Sequence, residues 1–218
     1  LKRQATTAHS FGLEMHLLSP REAQELWPLM DISDLVGAAF LPTDGQVNPS
    51  DITQSLAKGA RMQGVRIIED CIVTAIEIKQ GRVTAVITEH GRIACDVVVN
   101  CAGQWARDVG QLAGVNVPLV SVQHQYLITD KIAGISHDLP TLRDPDRLTY
   151  YKEDVGGLVM GGSEPNPIPW AMNGFPAKFN FQLLQPDWEH FQPTMELAMA
   201  RVPALETAGV RELLNGPE

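Results

Sequence analysis

Between Val65 and Gly103 the apolar positions recur with the period of a strand, not of a helix: VRIIEDCIVTAIEIKQGRVTAVITEHGRIACDVVVNCAG. Polar breaks fall at Glu69-Asp70, Gln80-Gly81 and His90-Gly91, and the two X-Gly breaks suit tight hairpin turns, so a small antiparallel meander is predicted. The last run, Asp96 to Cys101, is apolar on both faces and reads as a strand buried in the middle of a sheet. Upstream the period is helical. Ser19-Pro20-Arg21-Glu22 carries an N-cap, a first-turn proline and a reciprocal glutamate, predicting a helix to about Met30. Asn48-Pro49-Ser50-Asp51 repeats the device, and Ile52, Leu56 and Ala60 behind it predict one narrow buried stripe.

Downstream of Gly103 a short helix is predicted, with Trp105, Val109, Leu112 and Ala113 on one face and Gly114 closing it. A strand follows from Val120 to Thr129, then a hairpin around Gly156-Gly157. SEPNPIPWAMNGFP reads as a surface loop, and PDWEHFQPTMELAMARVPAL as a helix kinked or restarted at Pro193. The fold class is α/β (α+β). The chain opens as though already inside a helix and ends just after a strand-like run, so it reads as an internal segment of a longer protein.

Composition narrows the function classes. Hydrophobic residues are 44% and charged residues 20% of 218, as in ordinary globular chains. Lys plus Arg number 17 against 26 Asp plus Glu, a net charge of −9 with no basic run, which argues against a nucleic-acid partner. No apolar run approaches the ~18 residues of a membrane span. Cys71, Cys95 and Cys101 form no CxxC pair, which fits a reducing compartment, the cytoplasm or an organelle matrix. The six histidines show no ligand spacing, so no metal site is expected.

Four stretches bear on chemistry. Cys101 with His124 has the makings of a nucleophile and base, but a cysteine closing a valine-rich strand reads better as a small buried hydrophobe. VGGLVMGG lacks GxGxxG and reads as a tight turn followed by a strand crowded against another backbone. In CAGQW, small residues 101 to 103 follow a strand and enter a helix, the place where α/β sheets receive ligands; tight helix–strand packing explains them equally well. In VQHQYLIT, His124 and Tyr126 share a mostly apolar strand face with Val122 and Ile128, an arrangement that a satisfied half-buried pair also explains.

Taken together, FLPTDGQVNPSDITQSLAKGARMQGVRII, VVVNCAGQWARDVGQLAGVNVPLVSVQHQYLITD, LPTLRDPDRLTYYKEDVGGLVMGG and LLNGPE resemble the FAD-dependent oxidoreductases of the D-amino-acid-oxidase-like (DAO) superfamily. The likeness is greatest to the dimethylglycine and sarcosine dehydrogenases. The resemblance implies a flavin-binding domain interleaved with a substrate domain built on a mixed or antiparallel sheet. It assigns 1–47 to the substrate domain, 48–103 to the FAD-binding domain without its GxGxxG unit, and 104–218 to the substrate domain, with 210–218 beginning the return. It implies cofactor contacts at Val73, Ala102, Gly103 and Trp105, and substrate-side catalytic residues at His124 and Tyr150.

The reaction implied is oxidation of an N-methylated small amino acid by hydride transfer to FAD. Oxygen or an electron-acceptor protein takes the electrons. Family members carry a histidine tethered to the flavin, and larger ones a folate-dependent module; these residues contain neither feature. A substrate carboxylate calls for an arginine, and Arg143 and Arg147 lie near Tyr150 in sequence. The alternative is a non-catalytic segment or a binding and assembly module unable to hold FAD alone.

Overall fold

Both capping signals start helices in the computed structural model, which describes residues 1–176 and 178–218. Ser19 Oγ accepts from the Glu22 N–H at 3.3 Å and the Glu22 carboxylate accepts from the Ser19 N–H at 2.7 Å, closing a capping box. Asn48 Oδ1 accepts from the N–H groups of Ser50 and Asp51. Along the chain run α1 (Lys2–Ser10), β1 (His16–Leu18), α2 (Pro20–Leu26), β2 (Ala38–Phe40), α3 (Pro49–Met62), β3 (Val73–Lys79), β4 (Arg82–Thr88) and β5 (Gly91–Ala94). There follow α4 (Ala106–Gln111), β6 (Ser121–Thr129), β7 (Leu142–Asp144), β8 (Thr149–Asp154), β9 (Gly157–Gly162), β10 (Pro169–Trp170), α5 (Trp188–Arg201) and β11 (Val210–Pro217). The first of the capped helices, α2, stops at Leu26 and not near Met30, because Pro28 drives Trp27 out of the helical region, to φ −132 and ψ 74.

Two compact units result, one of Leu1–Gln46, His124–Pro167 and Leu183–Gly216, the other of Val47–Gln123, Ile168–Gln182 and Pro217–Glu218. The second holds the meander. β3, β4 and β5 are antiparallel neighbours joined at the two X-Gly turns, as the strand-like period predicts. Glu77 on β3 accepts from Arg92 on β5 and from Thr84 on β4, and the Arg92 guanidinium, with the Thr84 hydroxyl, holds its carboxyl down at about 2. β10 pairs with β6 at Ser121 and Val122.

Beyond the meander the structure departs from expectation. The last ladder bond is Cys95 N–H to Thr84 O, 3.2 Å, and residues 96–101 then pair with no strand among the described residues. Val97 and Val99 are 75% and 78% exposed, and Cys101 is exposed, not a buried hydrophobe. A two-faced apolar run becomes a central strand only when neighbours satisfy its backbone on both edges, and the described residues supply none. For the same reason α3 buries no residue: Ile52 is exposed and Leu56 is 68% exposed. Among the described residues, Ala85 is the one hydrophobic side chain of this unit that is buried.

The first unit has a conventional core. Its antiparallel sheet runs β6-β9-β8-β7, with β11 pairing on β6. Trp27, Leu127, Tyr151, Leu158, Met160, Phe191 and Val202 form one apolar cluster with their neighbours. The rings of Trp27 and Tyr151 lie 5.7 Å apart, and Trp27 donates to Pro140 O at 2.9 Å. Burial pushes the Tyr151 phenol up to about 12, while its hydroxyl donates to Ala198 O at 3.2 Å. α5 runs unbroken through Pro193. The missing N–H falls in its second turn, and burial of Phe191, Thr194, Ala198 and Arg201 along one face holds the helix together.

A buried ion network ties α5 to β7. Arg201 donates from Nε to Asp144 at 2.7 Å and from Nη1 to Asp34 at 2.9 Å, and also donates to Asp31 O. Arg147 meets the same two carboxylates, Asp34 at 2.7 Å and Asp144 at 3.7 Å. Burial works against the charge on Arg201, but the hydrogen bonds and charge of Asp144 and Asp34 prevail and hold it above the ordinary guanidinium value. Removing Arg201 leaves the buried Asp144 carboxylate only the longer contact with Arg147 and backbone N–H groups. Arg201→Met should therefore lower stability by about 3–5 kcal/mol, read as a shift of the unfolding midpoint, and adding Asp144→Asn to that variant should recover part of the loss.

Candidate functional site

Two strands set out the catalytic candidates through their pleat. On β6, Ser121, Gln125, Leu127 and Thr129 are buried, while Val122, His124, Tyr126 and Ile128 lie half-buried on the other face. On β8, Thr149, Tyr151 and Glu153 point inward, so Tyr150 and Lys152 share the half-buried side. The register then joins the strands into a row. Tyr126 on β6 faces Gly161 on β9, Gly161 faces Tyr150 on β8, and Tyr150 faces Arg143 on β7. Directly paired residues project to one side of a sheet, so His124, Tyr126, Tyr150 and Arg143 occupy a common face.

His124 and Tyr150 meet there. The imidazole Nε2 stands 3.3 Å from the Tyr150 hydroxyl, and the rings lie nearly parallel, 13° apart, with centroids 6.4 Å from each other. An imidazole and a phenol in hydrogen-bond contact can pass or share a proton. The two arginines behave differently. Arg147 is committed to Asp34 and Asp144, whereas Arg143 is exposed and forms no ion pair among the described residues.

The cofactor candidates all belong to the other unit. Asn100 organises the turn that follows the valine run: its Oδ1 accepts from Ala102 N–H at 3.2 Å and its Nδ2 donates to Ala106 O at 2.9 Å. The Trp105 N–H donates back to Ala102 O at 3.0 Å. Gly103 sits at φ +53, in the left-handed region, and a Cβ built on it meets nothing within 4 Å. The backbone at 102–103 is thus an open ledge. Beside it Gln104 Oε1 is buried without a hydrogen-bond partner, an acceptor left over by the protein's own contacts. Trp105 is 37% exposed, one side of its ring packed near Phe175 at 5.6 Å, and Val73 at the start of β3 is 38% exposed. A small, open backbone flanked by an indole and a spare polar acceptor fits a flat, polar-edged group such as a flavin cofactor. Among the described residues no group of three or more His, Cys, Asp or Glu side chains converges to hold a metal ion, and no helix is long and apolar enough to cross a membrane.

Three residues at these sites escaped the sequence reading. Asn100 had its signal in the Asn-x-Ala turn. Gly161 was visible only as part of a crowded glycine strand. Gln125 lies behind His124, 1% exposed, and grips the backbone that starts α5: its Nε2 donates to Asp187 O at 3.0 Å and its Oε1 accepts from Asp187 N–H at 2.7 Å.

The sequence model of the FAD dependent oxidoreductase family, DAO, matches residues 1–216. Mouse mitochondrial sarcosine dehydrogenase is 41% identical across 100% of this chain, which covers 24% of that protein. The mouse mitochondrial pyruvate dehydrogenase phosphatase regulatory subunit is 37% identical across 100% of the chain, 25% of its own length. In three dimensions the chain resembles L-proline dehydrogenase from P. horikoshii with a TM-score of 0.81 and 26% identity, over 99% of this chain and 55% of that one. The chain therefore spans about a quarter of the length of these curated relatives.

Gln125→Leu keeps the volume but removes the acceptor of the Asp187 N–H, while the Asp187 carbonyl keeps only the helical bond from Phe191 N–H. It should cost about 2–3 kcal/mol and loosen the α5 N-terminus, seen as faster amide hydrogen exchange over residues 187–191.

Proposed function

This chain belongs to the DAO family of FAD-dependent oxidoreductases, and we propose that it carries the substrate-side pair and part of the flavin ledge of an enzyme oxidising an N-methylated small amino acid of the sarcosine type. The observation that carries this reading is the His124–Tyr150 contact on a half-buried sheet face. Likeness to sarcosine dehydrogenase supports the substrate class. In this reading the unit of 47–123, 168–182 and 217–218 is the flavin-side part and the other the substrate side. The exposed apolar runs of 52–68 and 97–99 are the faces that the rest of a larger flavin domain covers.

Ala102 and Gly103 let the cofactor approach the main chain, Trp105 and Val73 give it apolar contact, and Gln104 Oε1 offers an acceptor. Bound there, FAD would supply the hydride acceptor for oxidation at the carbon attached to the amine nitrogen. The work of this chain's residues is to orient that amine and manage its proton. Imidazole takes and gives a proton near neutral pH, so His124 receives the ammonium proton and frees the nitrogen lone pair. Tyr150 fixes the imidazole and hydrogen-bonds the substrate. Arg143, without an ion pair among the described residues and in register with Tyr150, meets the carboxylate.

A histidyl–flavin link and a folate-dependent module would come from outside these 218 residues, and oxygen or a separate electron-acceptor protein would take the electrons. In a eukaryotic cell the mitochondrial relatives support a matrix location. A second reading, a non-catalytic regulatory module, is favoured by the likeness to the phosphatase regulatory subunit.

Kinetics on the flavin-loaded protein separate the two. His124→Ala should lower kcat about 100-fold and Tyr150→Phe about tenfold, with bound flavin unchanged. A parallel loss of flavin and turnover points to a structural role, and no amine-dependent flavin reduction in the wild type points to the regulatory reading. Arg143→Gln should raise KM for the amino acid about tenfold at nearly constant kcat, the mark of a contact made equally in ground and transition states.

A further inference from the structure

Strand β9 lies between β6 and β8, so Tyr150 must reach across it to touch His124. The residue beneath that crossing is Gly161, paired on one side with Tyr150 and on the other with Tyr126. A Cβ built on Gly161 would stand 2.5 Å from Tyr150 Cζ and 3.0 Å from Cε1, and closer still to the hydroxyl oxygen. The phenol ring therefore rests on bare main chain.

Neighbouring glycines of the same strand are glycine for a different reason. An added Cβ at Gly157 lies 2.8 Å from the carbonyl oxygens of Thr129 and Asp130, and at Gly162 it lies 2.7 Å from Leu148 O. Those positions are closed by backbone. Gly161 alone among the three is obstructed only by a side chain, and its φ lies outside the left-handed region, so its own conformation suits any residue. What demands glycine there is Tyr150.

We propose that Gly161 is a positioning residue: its missing side chain is the slot that lays Tyr150 across β9 and holds its hydroxyl against His124. The positioning stands on geometry alone; its kinetic consequence rests on the function proposed above. The step involves no new bond. It sets only which atoms are within reach of a proton.

The test pairs crystallography with a double-variant cycle on the flavin-loaded protein. In Gly161→Ala the Tyr150 ring should swing off the strand, taking its hydroxyl beyond about 3.5 Å from His124 Nε2. Turnover should fall about tenfold, matching Tyr150→Phe, while KM, flavin content and Tm hold. In a Tyr150→Phe background the same alanine should change kcat by less than about twofold, because the hydroxyl it displaces is already gone. A ring that stays in place, or losses that multiply in the double variant, overturns the inference. Should Gly161→Ala fail to fold, Gly161→Ala with Tyr150→Ala should fold, since the obstacle is removed; failure of both overturns it too. If the ring moves but Tyr150→Phe turns over normally, Gly161 still positions the phenol and the role given to the His124–Tyr150 pair is what falls.

Discussion

A pleated strand hands successive side chains to opposite faces, and the site depends on how β6 and β8 use that rule. Gln125, Leu127 and Tyr151 are anchored inward by hydrogen bonds and apolar packing, which leaves His124 and Tyr150 no choice of side. The anchors are strong. Gln125 closes two hydrogen bonds on Asp187, and Tyr151 lies 1% exposed against Trp27 with its hydroxyl bound. The Arg201 network does the same for β7, fixing Asp144 inward and so Arg143 outward. Core and site are thus two faces of one sheet, and packing on the first orders chemistry on the second.

Local signals were legible wherever neighbours in sequence decide the outcome. The capping box at Ser19, the N-cap at Asn48, the X-Gly hairpins and the alternating face of β6 depend on a few consecutive residues, and they fold as read. Expectation failed where the outcome depends on distant partners. Residues 96–101 have the composition of a central strand, but a strand is defined by its neighbours, and Val97 and Val99 find none. Pro193 does not restart the helix, because the lost hydrogen bond visible in sequence is offset by a buried face that is not.

The candidate site divides the same way. The resemblance implies His124 and Tyr150 as substrate-side residues; their contact, and the bare backbone at Gly161 that permits it, emerge only from register across three strands. Nothing in the sequence separates Arg143 from Arg147. Their roles part because Asp34, more than a hundred residues upstream, reaches one of them. At Gly103 the sequence leaves ligand approach and tight packing equally open; the backbone there is left-handed and uncrowded, and Asn100 shapes the turn.

The adjacent tyrosines of β8 carry a consequence for how this segment tolerates change. One phenol lies half-buried on the open face and the next is core, so their surroundings are a matter of parity. Adding or deleting a residue in the connection after Asp144 can be absorbed by that loop, but a one-residue slip inside the strand would exchange the two rings, burying the Tyr150 hydroxyl and turning that of Tyr151 outward. The loops on either side can therefore take up a change of length that the strand itself cannot.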